Sequence, residues 1–191
     1  MNKKKYQKGF SLTELLIVLS LFILVMGAIY SAYILAQKAY RESESFAEMN
    51  QNGRVILERA VREIRQARDI IDELPDSLGT EIPEDALVSL EFEDGHIQEP
   101  YHYIKYFKQE DKVMREEIKY YFPSDPDTFL PWNASSSSET VSSVITKGPE
   151  AIGEHVSELK FWDIPDINIF LKMEKDNKES VLKTKVFGRN L

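Results

Sequence analysis

The feature that most constrains this chain is a run of 23 residues, from Leu15 to Gln37, that contains no charged side chain. As an α-helix, such a run is roughly 35 Å long at about 1.5 Å per residue, and it can cross a hydrocarbon core of about 30 Å. One carboxylate, Glu14, lies at the edge of the run. The sequence therefore predicts a membrane-spanning helix with an acidic residue at its beginning.

The residues before this run are short and basic. Four lysines lie within the first eight residues, and the first acidic residue is Glu14. Because positive charge is retained in the cytoplasm, we expect a cytoplasmic amino terminus and an extracytoplasmic remainder. A secretory signal peptide would have a shorter apolar core followed by a small-residue cleavage site, and this segment has neither. The span is predicted to be retained as a single-pass anchor in the inner membrane, with any cut before it.

The segment from Lys8 to Val18 reads Lys-Gly-Phe-Ser-Leu-Thr-Glu-Leu-Leu-Ile-Val. It resembles the class III signal of type IV prepilins and type II secretion pseudopilins, in which a basic leader, a glycine, a phenylalanine and a glutamate precede an apolar helix. The resemblance implies that residues 1–9 are a leader peptide. It also implies that a prepilin peptidase and N-methyltransferase cuts between Gly9 and Phe10 and methylates Phe10. The similarity is specific over residues 5–30 and general elsewhere.

Glu14 has two interpretations. An acidic side chain deep in lipid costs about 2.5 to 3.5 kcal/mol, and less near the interface, so Glu14 could simply reach the lipid headgroups. The resemblance implies instead that Glu14 is an assembly contact, which meets the amino terminus of a neighbouring subunit. The partners implied are other pilin or pseudopilin subunits, the peptidase, an inner-membrane assembly platform and membrane lipid.

The composition excludes several classes of function. The chain has 24 Lys and Arg against 32 Asp and Glu, and without the four leader lysines the count is 20 against 32, a formal charge of −12. Such an acidic protein is a poor phosphate binder, so nucleic acid is not expected as a direct partner. The chain has no cysteine, which rules out disulfides, thiol nucleophiles and thiolate metal sites.

The distribution of proline predicts one long helix. All eight prolines lie at Pro75 or later, which leaves 74 residues without a helix breaker. We expect residues 10–37 to span the membrane and residues 38–73 to form an amphipathic half, with possible bends at Gly27 and Gly53. The apolar stripe of this second half comprises Phe46, Met49, Gly53, Ile56, Ala60, Ile64, Ala67 and Ile71.

After Pro75 the hydrophobic period changes to two. Asp94-Gly95 is predicted to form a turn, and the short polar segments 109–112 and 175–179 are predicted to be hairpin connections. We expect residues 74–191 to form a single β-rich extracytoplasmic domain whose antiparallel sheet packs on the helix. The class is α+β, similar to the pilin fold. The predicted strands lie at about 86–92, 101–108, 113–122, 156–163, 167–174 and 181–188.

Residues 123–153 break this pattern and are predicted to form a long loop, because four prolines and a serine run interrupt them. Phe129, Leu130 and Trp132 lie within the segment. They either anchor the loop on the core or present a surface to a partner, and we favour the anchor.

Candidate chemistry is sparse. His96, His102 and His155 do not have the helical spacing of a zinc site and are interpreted as scattered sheet or loop residues. Two acidic pairs have the oxygen ligands that calcium prefers but lack an EF-hand spacing, and hydrated acidic loops are the simpler interpretation. The pairs are Asp125 with Asp127 and Asp163 with Asp166. We predict no catalytic residue, cofactor or metal, and thus no enzyme.

Within the resembled family, a minor subunit fits best. The segment Gln51–Val55 and the ending Leu182-x-Thr184-x-Val186-x-x-Arg189-Asn190 are loosely similar to J-type minor pseudopilins and minor pilins. Ser31 lies where many major pilins have a proline. The function predicted is a non-enzymatic subunit of a type IV filament or type II secretion pseudopilus, in tip formation or assembly initiation. The alternatives are a competence pseudopilin for DNA uptake and a membrane-tethered ligand-binding domain with a prepilin-like anchor.

Overall fold

A computed structural model describes residues 11–77, 81–95, 100–136 and 139–188. The chain divides into two compact units, Met1–Glu44 and Ser45–Leu191. Within the described ranges the elements are one helix and nine strands. They are α1 (Leu12–Gln66), β1 (Asp69–Ile70), β2 (Ser89–Glu93), β3 (Tyr103–Gln109), β4 (Lys112–Phe122), β5 (Asp125–Leu130), β6 (Ser142–Gly153), β7 (Val156–Trp162), β8 (Asp166–Lys175) and β9 (Lys178–Phe187).

The long helix predicted from the distribution of proline is present, but it ends earlier than expected. α1 ends at Gln66 rather than at about Glu73. The residues that follow it are taken by the sheet, since Asp69 pairs with Glu93 and the backbone N–H of Ile71 donates to the carbonyl of Glu91 at 3.0 Å. Strand pairing thus overrides the helical period at this point.

The strands of the second unit form two antiparallel sheets, where one sheet was expected. The first has six strands in the order β1-β2-β3-β4-β5, and β6 also pairs with β4. The second has the order β7-β8-β9. Both predicted hairpins are confirmed, because Gln109 pairs with Lys112 and Lys175 pairs with Lys178. The α+β class with a helix packed on antiparallel strands is also confirmed.

The predicted loop over residues 123–153 is wrong, because this segment contributes β5 and β6. β4 is 11 residues long and extends past the end of β3, so Tyr120 pairs with Leu130 of β5 on one side and with Ser143 of β6 on the other. Both strands lie at the margin of the sheet, where proline is tolerated within a strand.

The second part of α1, residues 45–66, packs against both sheets. Ile56 contacts Gly153 of the first sheet, and Gly53 lies against Leu182 and Met173 of the second so closely that a Cβ at this position would overlap both side chains. Gly53 is therefore a packing contact within a continuous helix. The predicted stripe is buried at Met49, Gly53, Ile56, Ala60, Ile64 and Ala67, whereas Phe46 is exposed.

Candidate assembly segment

The first turn of α1 is closed by a capping box. The backbone N–H of Glu14 donates to Oγ of Ser11 at 3.2 Å, and the backbone N–H of Ser11 donates to the Glu14 carboxylate at 3.2 Å. A serine before the first helical turn and a glutamate three residues later satisfy two backbone donors that the helix itself leaves unpaired. Glu14 therefore stabilises the helix start. The Ser-x-x-Glu spacing was the sequence signal for this role.

The predicted cleavage site, Gly9 and Phe10, lies outside the described residues, so the position of the cut stays a prediction. Phe10 directly precedes Ser11 in the sequence. A cut after Gly9 would place the new amino terminus one residue before the helix cap.

The helix that begins at Leu12 is long and apolar enough to cross a membrane, and none of its apolar window is buried by the protein. This exposure distinguishes it from the core helix of a globular domain, where such a window would be covered. Two hydroxyl groups within it are satisfied locally, because Ser20 donates to the Ile17 carbonyl at 2.8 Å and Ser31 to the Gly27 carbonyl at 2.9 Å. The segment thus presents lipid-compatible side chains.

A polar network connects the second part of α1 to the first sheet. Glu63 of the helix accepts hydrogen bonds from the Tyr106 hydroxyl at 2.6 Å and from Nε of Arg115 at 2.9 Å. Nη1 of Arg115 donates to Glu117 at 2.7 Å. Arg115 is buried on β4, so these bonds lie between the helix and the first sheet. Their chemistry is that of a structural ion-pair network.

The charges in this network stabilise one another. Burial alone would lower the pKa of Arg115, but its hydrogen bonds to Glu117 and Glu63 outweigh burial and raise that pKa. Burial would likewise raise the pKa of Glu117, yet the hydrogen bond and charge of Arg115 hold it below its usual value of 4.5. Burial and the nearby Glu63 raise the pKa of the Tyr106 hydroxyl. The Glu117 carboxylate and the Arg115 guanidinium therefore stay ionised at neutral pH.

The three histidines are not brought together. His102 is buried between two carboxylates, with Nε2 3.3 Å from Glu117 and Nδ1 3.7 Å from Asp94. His155 lies 3.6 Å from Glu48, and His96 is outside the described residues. Among the residues that the structure describes, no group of three or more His, Cys, Asp or Glu side chains is arranged to hold a metal ion.

The second pair of candidate calcium ligands is engaged by protein groups. Asp163 accepts hydrogen bonds from the Ser77 hydroxyl at 2.9 Å and from Nδ2 of Asn168 at 2.6 Å. Asp166 forms an ion pair with Lys185 at 2.6 Å. These carboxylates hold neighbouring segments together. The other pair, Asp125 and Asp127, is exposed on β5.

Trp132 lies on the segment that follows β5, and its position supports the anchor interpretation. Its backbone N–H donates to the Tyr103 hydroxyl at 3.1 Å. Tyr103 is fully buried, and burial raises its pKa to about 12. Phe129 lies under the ammonium of Lys119, 4.4 Å from ring centre to nitrogen. These contacts attach the segment around β5 to β3 and β4.

Comparison with protein families identifies the prokaryotic N-terminal methylation motif at residues 4–30. No curated protein and no solved structure gave a significant match to the chain. The motif is of the prepilin type and contains Gly9, Phe10 and Glu14, but it does not distinguish J-type chains from other prepilin-type chains. It supports a type IV pilin-like or pseudopilin-like structural subunit that is processed by a prepilin peptidase, assembles with other pilin subunits and has a single-pass membrane anchor.

Proposed function

We propose that this chain is a minor pilin or minor pseudopilin that forms the tip, or initiates assembly, of a type IV filament or type II secretion pseudopilus. The observation that carries the proposal is the prepilin-type motif at residues 4–30, which leads directly into an exposed helix of membrane-spanning length. In this proposal the domain after residue 37 lies on the extracytoplasmic side of the membrane and the leader lies in the cytoplasm, in agreement with the four leader lysines.

Two features favour a minor over a major subunit. The charge of −12 after removal of the leader opposes the stacking of many identical copies along a filament. The second feature is the loose resemblance of Gln51–Val55 and of the ending from Leu182 to J-type chains, and the two segments contact each other where Gly53 packs against Leu182 of β9. The last two residues of that resemblance, Arg189 and Asn190, lie outside the described residues.

The proposal assigns Glu14 a second contact besides its capping box. Removal of residues 1–9 would create an ammonium group at Phe10. A neighbouring subunit in the membrane would present the same group to the Glu14 carboxylate, and an ion pair at the lipid boundary is favourable because it compensates for the desolvation of both charges.

The first test is the processing of the full chain. Co-expression with a prepilin peptidase should remove residues 1–9 and leave N-methylated Phe10 as the first residue, which intact mass spectrometry of membrane extracts measures directly. Gly9→Val should block the cut because the added side chain occupies the cleavage position. Gly27→Val is the matched control, since nothing lies within 4 Å of a Cβ at Gly27, and it should be processed normally.

Retention of Met1 to Gly9 by the wild-type chain in its native host would refute the proposal. Equal cleavage of the wild type and Gly9→Val would show that the cut lies elsewhere.

A further inference from the structure

The outer edge of β6 is open. β6 pairs with β4 from Val113 to Tyr121, while β3 and β5 lie on the opposite side of β4. Within the described parts of the chain, no strand pairs with the other edge of β6. In an antiparallel strand, alternate residues direct their N–H and C=O groups away from the paired neighbour. This edge therefore presents a row of backbone donors and acceptors.

The first half of this edge lacks the usual protection against strand addition. The stretch Ser142–Thr146 contains no charge and no proline, and Val144 and Ile145 are exposed. The nearest charges on β6 form ion pairs, since Lys147 lies 3.6 Å from Glu117 and Glu150 lies 3.6 Å from Arg59. An exposed, uncharged run of β-branched residues is a template for pairing with another strand.

Two other strands at sheet margins are protected. β9 has lysines along its length, at positions 178, 183 and 185. β5 contains Asp125, Pro126 and Asp127. Charged side chains and proline discourage edge-to-edge pairing. The contrast with Ser142–Thr146 indicates a surface that is kept open.

We propose that Ser142–Thr146 binds an extended strand of a different pilin-like subunit, which joins the six-stranded sheet as an additional strand. This inference rests on the proposed function, because it requires neighbouring subunits in the same membrane. A second copy is disfavoured as the occupant, since it would bring two strongly acidic domains together. The incoming strand should carry small or β-branched uncharged residues opposite Val144 and Ile145.

The interface of a five-residue strand is too small for tight binding in solution. Two subunits anchored in one membrane meet at a high effective concentration, which makes such a contact effective without high intrinsic affinity. The surface is therefore suited to ordering subunits during assembly.

The experiment is site-specific photocrosslinking of the full chain in its native host. A photoreactive amino acid is placed singly at Val144, at Ile145 or, as the matched control, at Val181. Ile145 and Val181 have equal exposure, 51% each, but Val181 lies on the lysine-bearing β9. We expect adducts from Val144 and Ile145 with one other prepilin-type protein, identified by mass spectrometry, and none from Val181.

A second variant tests whether the adduct depends on strand pairing. Ser143→Lys adds a charge to the open edge and should lower the Ile145 adduct about tenfold, which corresponds to ~1.4 kcal/mol. Val181→Lys, which adds the same charge to β9, should leave the Ile145 adduct unchanged. Tryptophan fluorescence of both purified variants verifies that the fold is intact, since both sites are exposed.

Several outcomes would overturn the inference. These are adducts with a second copy alone, adducts with proteins that lack a prepilin-type signal, equal adducts from Val181, and no effect of Ser143→Lys. The mass of the processed chain is measured in the same cells. Normal processing without β6 adducts would refute strand addition alone, whereas retention of the leader would refute the proposed function.

Discussion

At the residue scale, Glu14 combines a role observed within its own chain with a role proposed between chains. Its carboxylate closes the capping box with Ser11, and this bond requires no neighbour. The proposed assembly contact requires a negative charge, whereas the capping box requires only a hydrogen-bond acceptor. The two roles can therefore be separated by substitution.

Glu14→Gln should retain the cap but lose the charge, because glutamine also serves at position N3 of a capping box. We expect normal processing and membrane retention but reduced incorporation into filaments. Ser11→Ala should weaken the helix start by about 1 kcal/mol and leave incorporation near normal. Quantitative mass spectrometry of purified filaments measures incorporation.

If Glu14→Gln is incorporated as well as the wild type, the charge has no assembly role. An equal loss in Ser11→Ala would show that the helix cap alone explains the requirement for Glu14.

At the element scale, the hydrogen bonds of Arg115 strengthen the contact between α1 and the first sheet. Arg115→Met removes a buried cation and leaves Glu63 and Glu117 without its hydrogen bonds. We expect the free energy of unfolding to fall by about 3 kcal/mol. Lys147→Met is the control, since Lys147 reaches the same Glu117 but is 64% exposed, and its effect should be below about 0.5 kcal/mol. Denaturant titration of the full chain in detergent, monitored by tryptophan fluorescence, measures both.

The same variant predicts a pH dependence. Because Arg115 lowers the pKa of Glu117 in the folded state, the wild type gains stability above pH 4.5 that is lost as the pH falls through the lower, folded value. Arg115→Met lacks this gain. The difference in unfolding free energy between the two proteins should therefore be largest near neutral pH and shrink in acid, and a difference independent of pH would contradict the assigned ion pair.

The elements also show where prediction from sequence succeeds and where it fails. The buried stripe from Met49 to Ile64 could be predicted from the sequence because its residues recur at helical spacing and face the core. β6 was missed because nearly all of its side chains are exposed, so the strand has no alternation of apolar and polar residues. The end of α1 was misplaced because β1 depends on a partner, Glu93, that is distant in the sequence.

At the scale of the whole molecule, the proposed minor role predicts a low copy number. A major subunit repeats along an open helical lattice, whereas a tip subunit contacts different partners on its exposed sides. The charge of −12 favours the second arrangement. We expect a few copies per filament, counted by quantitative mass spectrometry against the most abundant subunit, which serves as the internal reference. Hundreds of copies per filament would refute the minor role and leave the filament role intact.

The anchored α+β architecture could be predicted from the sequence because charge, length and the distribution of proline all report on local structure. The candidate site was predicted only in part. The prepilin pattern was visible, but the network around Arg115 was not, since Glu63 and Arg115 are 52 residues apart and their pairing depends on the register between the helix and β4.

The packing of α1 against both sheets has a mechanical consequence. A force applied along the helix at Ser45 enters the domain through the buried residues from Met49 to Ile64, which contact strands of both sheets. The load is then resisted in shear by many side-chain contacts at once, each weak but together substantial. Neither sheet can be drawn away from the helix without opening the contact at Gly53 or at Gly153. Force on the helix is thus distributed over its contacts with both sheets.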